Sequence, residues 1–534
     1  MPTKRARLDY FLISATLLPF VEKTDILPGI ASDHSMPTLD IDFSKFQRGK
    51  GFFKYNNSLN NDPEYVKMIT DTIRDTTSLY AEDVYNKDFL KNATPEQLQD
   101  IVCTIDPQLF LEALLLEIRG KTISYCAWKK KCKNAAQSLA LHQLELAEIA
   151  SDKQPTSEDL QRELDRAREE VNKLAQKEAE GAECRARIKW QVEGEKPSKY
   201  FCSLEKYNAL QKYIPELKVK NDKGQQVIVK DQKGVDSEIY KFYQNLYRTH
   251  ESSVEIITIN EFLENEDPKR PQLTESKALK LEGLLNVEEA TAYIKKCNSN
   301  ASPGSSGFGG GFYKMFWRNI KHFVVNSLNQ AYLTGNLSVS QKLGIIILLP
   351  KPDKDKKLLS NWRPISLLNQ SYKILSGALA ERIKPILPDI IHADQKGFVS
   401  GRYIGECVRN TYDIMEYAKA KNRAGLLLAI DFEKAFDSIS HSFILKALDF
   451  FGFGHSFKKW INVLLNNISS CINHCGNISK KFAIGRSCRQ GDPLSPYLFI
   501  ICVEILALKL RSDRGSKALN LEILKKNWIF MRMI

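Results

Sequence analysis

Leu160, Leu164, Ala167, Val171 and Leu174 recur at alternating steps of four and three, with charged residues filling most of the gaps. That is the period of an amphipathic helix. It predicts one starting at Ser157 and Glu158, after Pro155, and losing its apolar stripe at Glu178. The stripe fits a helix packed within its own chain or a short oligomerising seam over residues 157–177. It belongs to a mainly helical stretch, 105–190. Elsewhere the pattern shortens. Leu39, Ile41 and Phe43 alternate with Asp40 and Asp42, which predicts a half-buried strand. Residues 8–13, rich in aromatic and branched side chains, predict an internal strand. The continuous apolar runs 343–349 and 426–430 predict buried strands, and residues 219–227, around Asn221-Asp222-Lys223-Gly224, a hairpin. Residues 235–335 are predicted mostly helical, interrupted at 301–307. From about 340 onward short strands mix with helices, as in an α/β or α+β catalytic domain. No apolar run approaches the roughly 18 to 20 residues of a membrane span, and no secretory leader pattern opens the chain.

Composition narrows the class. The 534 residues predict roughly three or four domains. With 43% hydrophobic and 26% charged residues, wholesale disorder is excluded. Lys and Arg number 77 against 64 Asp and Glu, and the resulting charge of +13 favours a polyanionic partner. The 11 Cys are scattered, as reduced thiols are. Cys471, His474 and Cys475 form the one tight cluster. Zinc there needs a fourth ligand, and no second Cys-x-x-Cys stands nearby.

The segment Leu426-Leu427-Leu428-Ala429-Ile430-Asp431-Phe432-Glu433-Lys434-Ala435-Phe436-Asp437 delivers a carboxylate at the end of an apolar run. Desolvating a lone carboxylate is costly without cations or donors. Asp431 therefore suits divalent-metal binding, with capping of the next helix as the alternative. Further on, Arg489-Gln490-Gly491-Asp492-Pro493-Leu494-Ser495-Pro496 precedes an apolar helix, 498–508. Arg489 can meet a phosphate, Gln490 offers a donor and an acceptor, and Gly491 permits close approach of a flat ring or backbone.

Together these two segments resemble motifs A and B of the reverse transcriptases of non-long-terminal-repeat (LINE-type) retrotransposons. Asn361-Trp362-Arg363-Pro364-Ile365-Ser366-Leu367 with Tyr372-Lys373-Ile374-Leu375 resembles the family's fingers signature. Gln395-Lys396-Gly397-Phe398-Val399-Ser400-Gly401-Arg402 resembles the segment before the palm. The resemblance implies two-metal deoxynucleotidyl transfer onto a primer 3′-hydroxyl. Asp431 would be the first ligand for Mg2+ (or Mn2+), and Phe436 the gate that excludes a ribose 2′-hydroxyl. It implies Lys351 and Arg363 as fingers contacts to template or dNTP phosphates, and Gln490 and Gly491 as the turn against the nascent base pair. Arg402 is a phosphate candidate or a structural arginine. The implied partners are element RNA template, DNA primer and dNTP, with no membrane. The implied location is intracellular, in a cytoplasmic ribonucleoprotein and in the nucleus at integration.

Near the start, Arg7-Leu8-Asp9-Tyr10-Phe11-Leu12-Ile13-Ser14 and Ser32-Asp33-His34 resemble the end of the exonuclease III-like nuclease domain of the same elements. That likeness implies His34 as catalytic histidine, Asp9 as its orienting partner and Asp33 as a further active-site carboxylate. Lys54, Lys196 and Lys199, beside aromatic residues, lie in segments resembling the linker between the two enzymes, where bases stack and phosphates are met, or where lysines simply sit on a surface. The expected fold is multidomain α+β. An exonuclease III-like α/β-sandwich remnant would occupy 1–43 and a mostly helical linker 44–235. The base of the fingers would occupy 236–340, and right-hand polymerase fingers with a partial palm 341–534.

Some family features are missing. No Tyr/Phe-x-Asp-Asp follows motif B, and the upstream strands of the nuclease are not in the sequence. Ser305-Ser306 stand where Pro-Asp is usual, ahead of a glycine-rich run, and Ser487 replaces a usual glycine. The expectation is therefore no nicking activity and little or no polymerisation by the isolated chain. The alternatives are a catalytically dead nucleic-acid-binding remnant and a helical scaffolding protein.

Overall fold

The computed structural model describes residues 11–13, 18, 21–27, 36–41, 49–154, 157–186, 212–220, 224–249, 258–263, 271–424 and 430–512. Its longest element follows from a cap and an absence of breakers. The Asp106 side chain accepts from the backbone N–H groups of Gln108 and Leu109, Pro107 opens the first turn, and no proline follows. The result is a 47-residue helix, Pro107–Lys153, roughly 70 Å long. After it the chain turns back into the helix Glu158–Ala186. Leu164 is buried, as is Ala140 on the long helix, and Leu160, Ala167, Val171 and Leu174 are half-buried. Arg168 reaches Glu148 at 3.7 Å, and Ser151 donates to Gln161 at 3.3 Å. The heptad-like stripe is thus met inside the chain, as one half of a helical hairpin.

The first half of the long helix enters the main core. Phe110, Leu114 and Ile118 pack with Tyr65 and Ile69 of the helix Pro63–Tyr80. The same core takes in Phe308, Phe312, Phe316 and Ile320 around the helix Gly310–Thr334, then Tyr372 to the C-terminal side and Leu498 to Ile505 of the helix Ser495–Ser512. Residues 59–118 therefore share one hydrophobic core with residues 273–505. The glycine-rich run makes this contact possible. Gly307 has φ +84°, and a Cβ there would lie 2.2 Å from the Phe53 ring. Tyr55 N–H donates to the Gly307 carbonyl at 2.9 Å. Ser306 N–H donates to Asn369 at 2.9 Å, so the Ser305-Ser306 departure is tied down.

A smaller core lies on the sheet. Strands β1 (Val21–Leu27) and β2 (Met36–Ile41) pair antiparallel, as do β3 (Leu217–Lys220) and β4 (Gln226–Val229), the expected hairpin. The third sheet has the order β6-β5-β7-β8, from β5 (Leu343–Pro350), β6 (Trp362–Leu367), β7 (Ser469–His474) and β8 (Asn477–Ile478), with β9 (Phe482–Ala483) on β7. β5 runs antiparallel to β6, with Leu349 opposite Arg363, and parallel to β7, with Ile345 opposite Cys471. The helix Gln232–Tyr247 lays Val235, Ile239, Tyr243 and Tyr247 against Ile346, Leu348, Ile472 and Phe482.

Two expected strands fall largely outside the described residues. Of 8–13, residues 11–13 are described; they form no strand, and Leu12 is exposed. Residues 425–429 lie outside, and Ile430 is exposed. No helix among the described residues is long and apolar enough to cross a membrane.

Candidate active site

Four segments far apart in sequence meet around one buried carboxylate. After Asp431 the chain passes through Lys434, which takes the left-handed conformation (φ 51°, ψ 42°) and starts the short helix Ala435–Ser438. This segment is fastened to the 486–491 loop by backbone hydrogen bonds. Cys488 N–H donates to the Phe436 carbonyl at 2.7 Å, and Ser487 N–H to that of Ile439 at 2.8 Å. The loop is fastened in turn to β6, where Ser366 N–H donates to the Gln490 carbonyl at 2.8 Å. Gly491 closes the approach: its φ is +110°, and a Cβ would come 2.6 Å from the Ser366 carbonyl oxygen.

Asp437 sits at the junction and is 1% exposed. Its carboxylate accepts from Tyr247 O–H at 2.8 Å and from the Gln490 amide at 3.2 Å. Burial pushes its pKa up to about 6, against the stabilising pull of Tyr247, Lys434, Arg486 and Gln490. The Lys434 ammonium lies 4.1 Å from the Phe242 ring centre and 5.8 Å from that of Tyr243. Burial lowers its pKa, Asp437 and Glu433 oppose the shift, and Lys351 adds to it. Lys351 and Lys434 are thus cationic neighbours at the end of β5.

Asp431 itself is exposed. A single hard carboxylate suits a cation shared with phosphates, but no group of three or more His, Cys, Asp or Glu among the described residues could hold a metal. These residues do not form a metal site by themselves. Phe436 is half-buried, stacked on Phe499 at 4.4 Å and 15°, with the Phe398 ring edge-on at 6.3 Å. Arg363 is exposed on β6, and Lys351 N–H donates to the Asn361 carbonyl at 2.9 Å. The Lys54 ammonium lies 5.0 Å from the Phe52 ring centre. Asp9, Asp33, His34, Lys196 and Lys199 lie outside the described residues.

Two arginines have structural partners. Arg402 donates to the carbonyls of His392 at 2.6 Å, Gln395 at 2.8 Å and Ile391 at 3.0 Å. Arg489, read from sequence as able to meet a phosphate, is buried, lies 5.6 Å over the Tyr372 ring and donates to the Lys342 carbonyl at 3.1 Å. Nor does the Cys471–Cys475 cluster form a zinc site. His474 Nε2 accepts from Ile214 N–H at 3.1 Å, so its proton is on Nδ1, which donates to Asp236 at 2.7 Å. Both ring nitrogens are thereby used.

Sequence reasoning passed over Asp437, Tyr247 and Lys434 as site residues. Asp437 and Lys434 stood in the quoted segment beside Asp431. Tyr247 carried no signal, because it reaches Asp437 across 190 positions.

The same region matches known proteins. Residues 349–521 match the family model described as reverse transcriptase (RNA-dependent DNA polymerase). Over 95% of its length the chain is 26% identical to the transposon TX1 149 kDa protein of Xenopus laevis, of which it covers 36%. Over 32% of its length it is 32% identical to the Pol polyprotein of retrotransposable element R2 from Popillia japonica, covering 23% of that protein. It is also 28% identical over 199 residues to the R2DM polyprotein of Drosophila melanogaster. Residues 349–521 are thus similar to reverse transcriptases, the chain as a whole is similar to proteins of transposons and retrotransposable elements, and it spans about a third or less of the length of these relatives.

Proposed function

We propose that this chain forms the fingers and part of the palm of a reverse transcriptase that holds an RNA template, a DNA primer and an incoming dNTP between β6 and the 431–437 segment. The observation that carries this reading is the fastening of the Gln490-Gly491 turn to both sides at once, to Ser366 of β6 and to Asp437, with Cys488 just before it held to Phe436. A rigid turn between those two surfaces suits placement of a planar base pair. The Phe436 ring, held flat on Phe499, suits exclusion of a 2′-hydroxyl. Lys351 and exposed Arg363 suit phosphate contacts. Reverse transcriptases in general use divalent metal ions, and Asp431 is the carboxylate here that would meet one. The residues 1–43 are read as the end of a nuclease domain without nicking activity.

A second reading, nucleic-acid binding without catalysis, draws on one observation: the described residues offer no cluster of metal-ligating groups around Asp431. Primer extension on poly(rA)/oligo(dT) separates the two. Templated incorporation that disappears in Asp431→Asn supports the polymerase. Salt-dependent primer–template binding with no incorporation supports the second reading. Absence of both contradicts each.

A further inference from the structure

The end of the helix Gln232–Tyr247 holds both segments of the candidate site, although it lies ahead of residues 349–521, which match reverse transcriptases. The last carbonyls of a helix have no partner within it. Here two of them are taken by the loop that leads to the Gln490-Gly491 turn. Gly485 N–H donates to the Tyr247 carbonyl at 2.9 Å, and Arg486 Nε to that of Leu246 at 2.7 Å. The Tyr247 hydroxyl reaches the other segment, donating to Asp437 at 2.8 Å, and Asp437 accepts in turn from the Gln490 amide at 3.2 Å. Earlier on the same helix, the Phe242 ring centre lies 4.1 Å from the Lys434 ammonium. That ammonium nitrogen is buried and has no hydrogen-bond partner among the described residues.

Each contact is costly to release. Asp437 is buried, so losing a donor leaves a carboxylate oxygen unsatisfied. Lys434 occupies the left-handed region, which a lysine keeps only where its surroundings hold it. The Phe242 ring is the surface that meets its charge. Tyr247 is fixed in its own place. Its ring stacks on Phe482 of β9 at 6.2 Å and 14°, and on Tyr243 at 6.4 Å and 24°. Lys434 and Asp437 bracket Phe436 in the chain, so a shift of either moves the ring that faces the sugar.

We propose that Tyr247 is a positioning residue for nucleotide selection. Through Asp437 it sets the Gln490-Gly491 turn, and with Phe242 and Lys434 it sets Phe436. Base and sugar are then screened by a geometry fixed from outside the matched region. Tyr247 is buried and meets no nucleotide itself, so it acts only through these neighbours. The inference rests on the reverse transcriptase reading for the identity of the ligand, a deoxynucleoside triphosphate paired to a template.

The test uses the full chain on an RNA template with a dideoxy-terminated DNA primer, in magnesium buffer. Dissociation is compared with the complementary dNTP, a mismatched dNTP and the complementary ribonucleotide. Tyr247→Phe keeps the ring and removes the hydroxyl. It should lower the preference for the complementary dNTP about fivefold, the scale of one hydrogen bond. Primer–template affinity without nucleotide should be unchanged. Gln490→Ala should lower the preference too, and Tyr247→Phe added to it should change nothing further, because the hydroxyl acts through Asp437 on Gln490. A merely structural tyrosine would give additive losses and weaken primer–template binding along with selection. Phe242→Leu keeps an apolar side chain and removes the ring beside Lys434; it should increase stabilisation by the ribonucleotide. Hydrogen–deuterium exchange of the free chain needs no nucleotide. Tyr247→Phe should speed exchange at Cys488 and Ser366, whose N–H groups hold the Phe436 and Gln490 carbonyls, and leave the helix Gly310–Thr334 unchanged. A full preference in Tyr247→Phe, additive losses with Gln490→Ala, or unchanged exchange at Cys488 and Ser366 overturns this inference alone. A wild type that prefers none of the nucleotides overturns the polymerase reading and the selection role with it, even where exchange at those amides responds to Tyr247→Phe.

Discussion

The Gln490 side-chain amide donates to the Asp437 carboxylate at 3.2 Å, and the other carboxylate oxygen takes the Tyr247 hydroxyl at 2.8 Å. A residue of the turn assigned to the base pair is thus oriented by a buried acid, which a tyrosine holds from a helix outside the matched reverse transcriptase region. Asp437 is held up to about 6 by burial, above the ordinary carboxylate value of 3.8. The folded protein therefore binds more protons than the unfolded chain between those values. The contribution to stability is fully present below about pH 4 and is lost as pH rises through about 6, by roughly 2–3 kcal/mol at most. Asp437→Asn should flatten this part of the profile when melting temperature is followed from pH 4.5 to 8. A wild-type profile already flat there would count against the assignment.

Ser487 has φ +127° and is buried, with its N–H committed to Ile439 at 2.8 Å. A residue with a Cβ is strained there, on the order of 1–3 kcal/mol. Ser487→Gly should therefore raise the melting temperature, although glycine ordinarily lowers stability elsewhere.

Gly491→Ala should act in the opposite direction. The added methyl would meet the Ser366 carbonyl, which cannot retreat without breaking the β6 contact. A loss of about 2 kcal/mol is expected. Faster amide exchange at Ser366, read by hydrogen–deuterium exchange, would locate the damage.

Arg511 closes the end of the last described helix. Its guanidinium takes both Asp394 oxygens, at 2.7 and 2.9 Å, and Glu504 at 2.7 Å. Both acids are nearly inaccessible, and burial raises the Glu504 pKa. Arg511→Ala leaves two buried carboxylates facing each other and should cost about 3–5 kcal/mol. The loss measured by denaturant unfolding should be smaller at pH 5 than at pH 8, because protonation relieves the repulsion.

Where spacing or apolar run length decides structure, the sequence was legible. The helix Glu158–Ala186, the strand β5 and the hairpin of β3 and β4 all lie where periodicity put them. The seam partner was not, since a stripe of five apolar positions is the same whether the facing helix belongs to this chain or another. Arg489 shows the matching limit for charge. A guanidinium is written identically whether phosphate or a buried carbonyl and ring will meet it, and here it is the latter.

The most direct measurement of the central claim uses a dideoxy-terminated DNA primer annealed to an RNA template, so that no chemistry is needed. The full chain, in magnesium buffer, is asked whether the next complementary dNTP stabilises its complex against a competitor trap. The complementary dNTP should slow dissociation at least about tenfold over the three mismatched ones, a difference of about 1.4 kcal/mol. Asp431→Asn and Gly491→Ala should each abolish the difference, and Phe436→Ala should let the matching ribonucleotide stabilise as well. Equal stabilisation by all four dNTPs, or by none, would contradict the account.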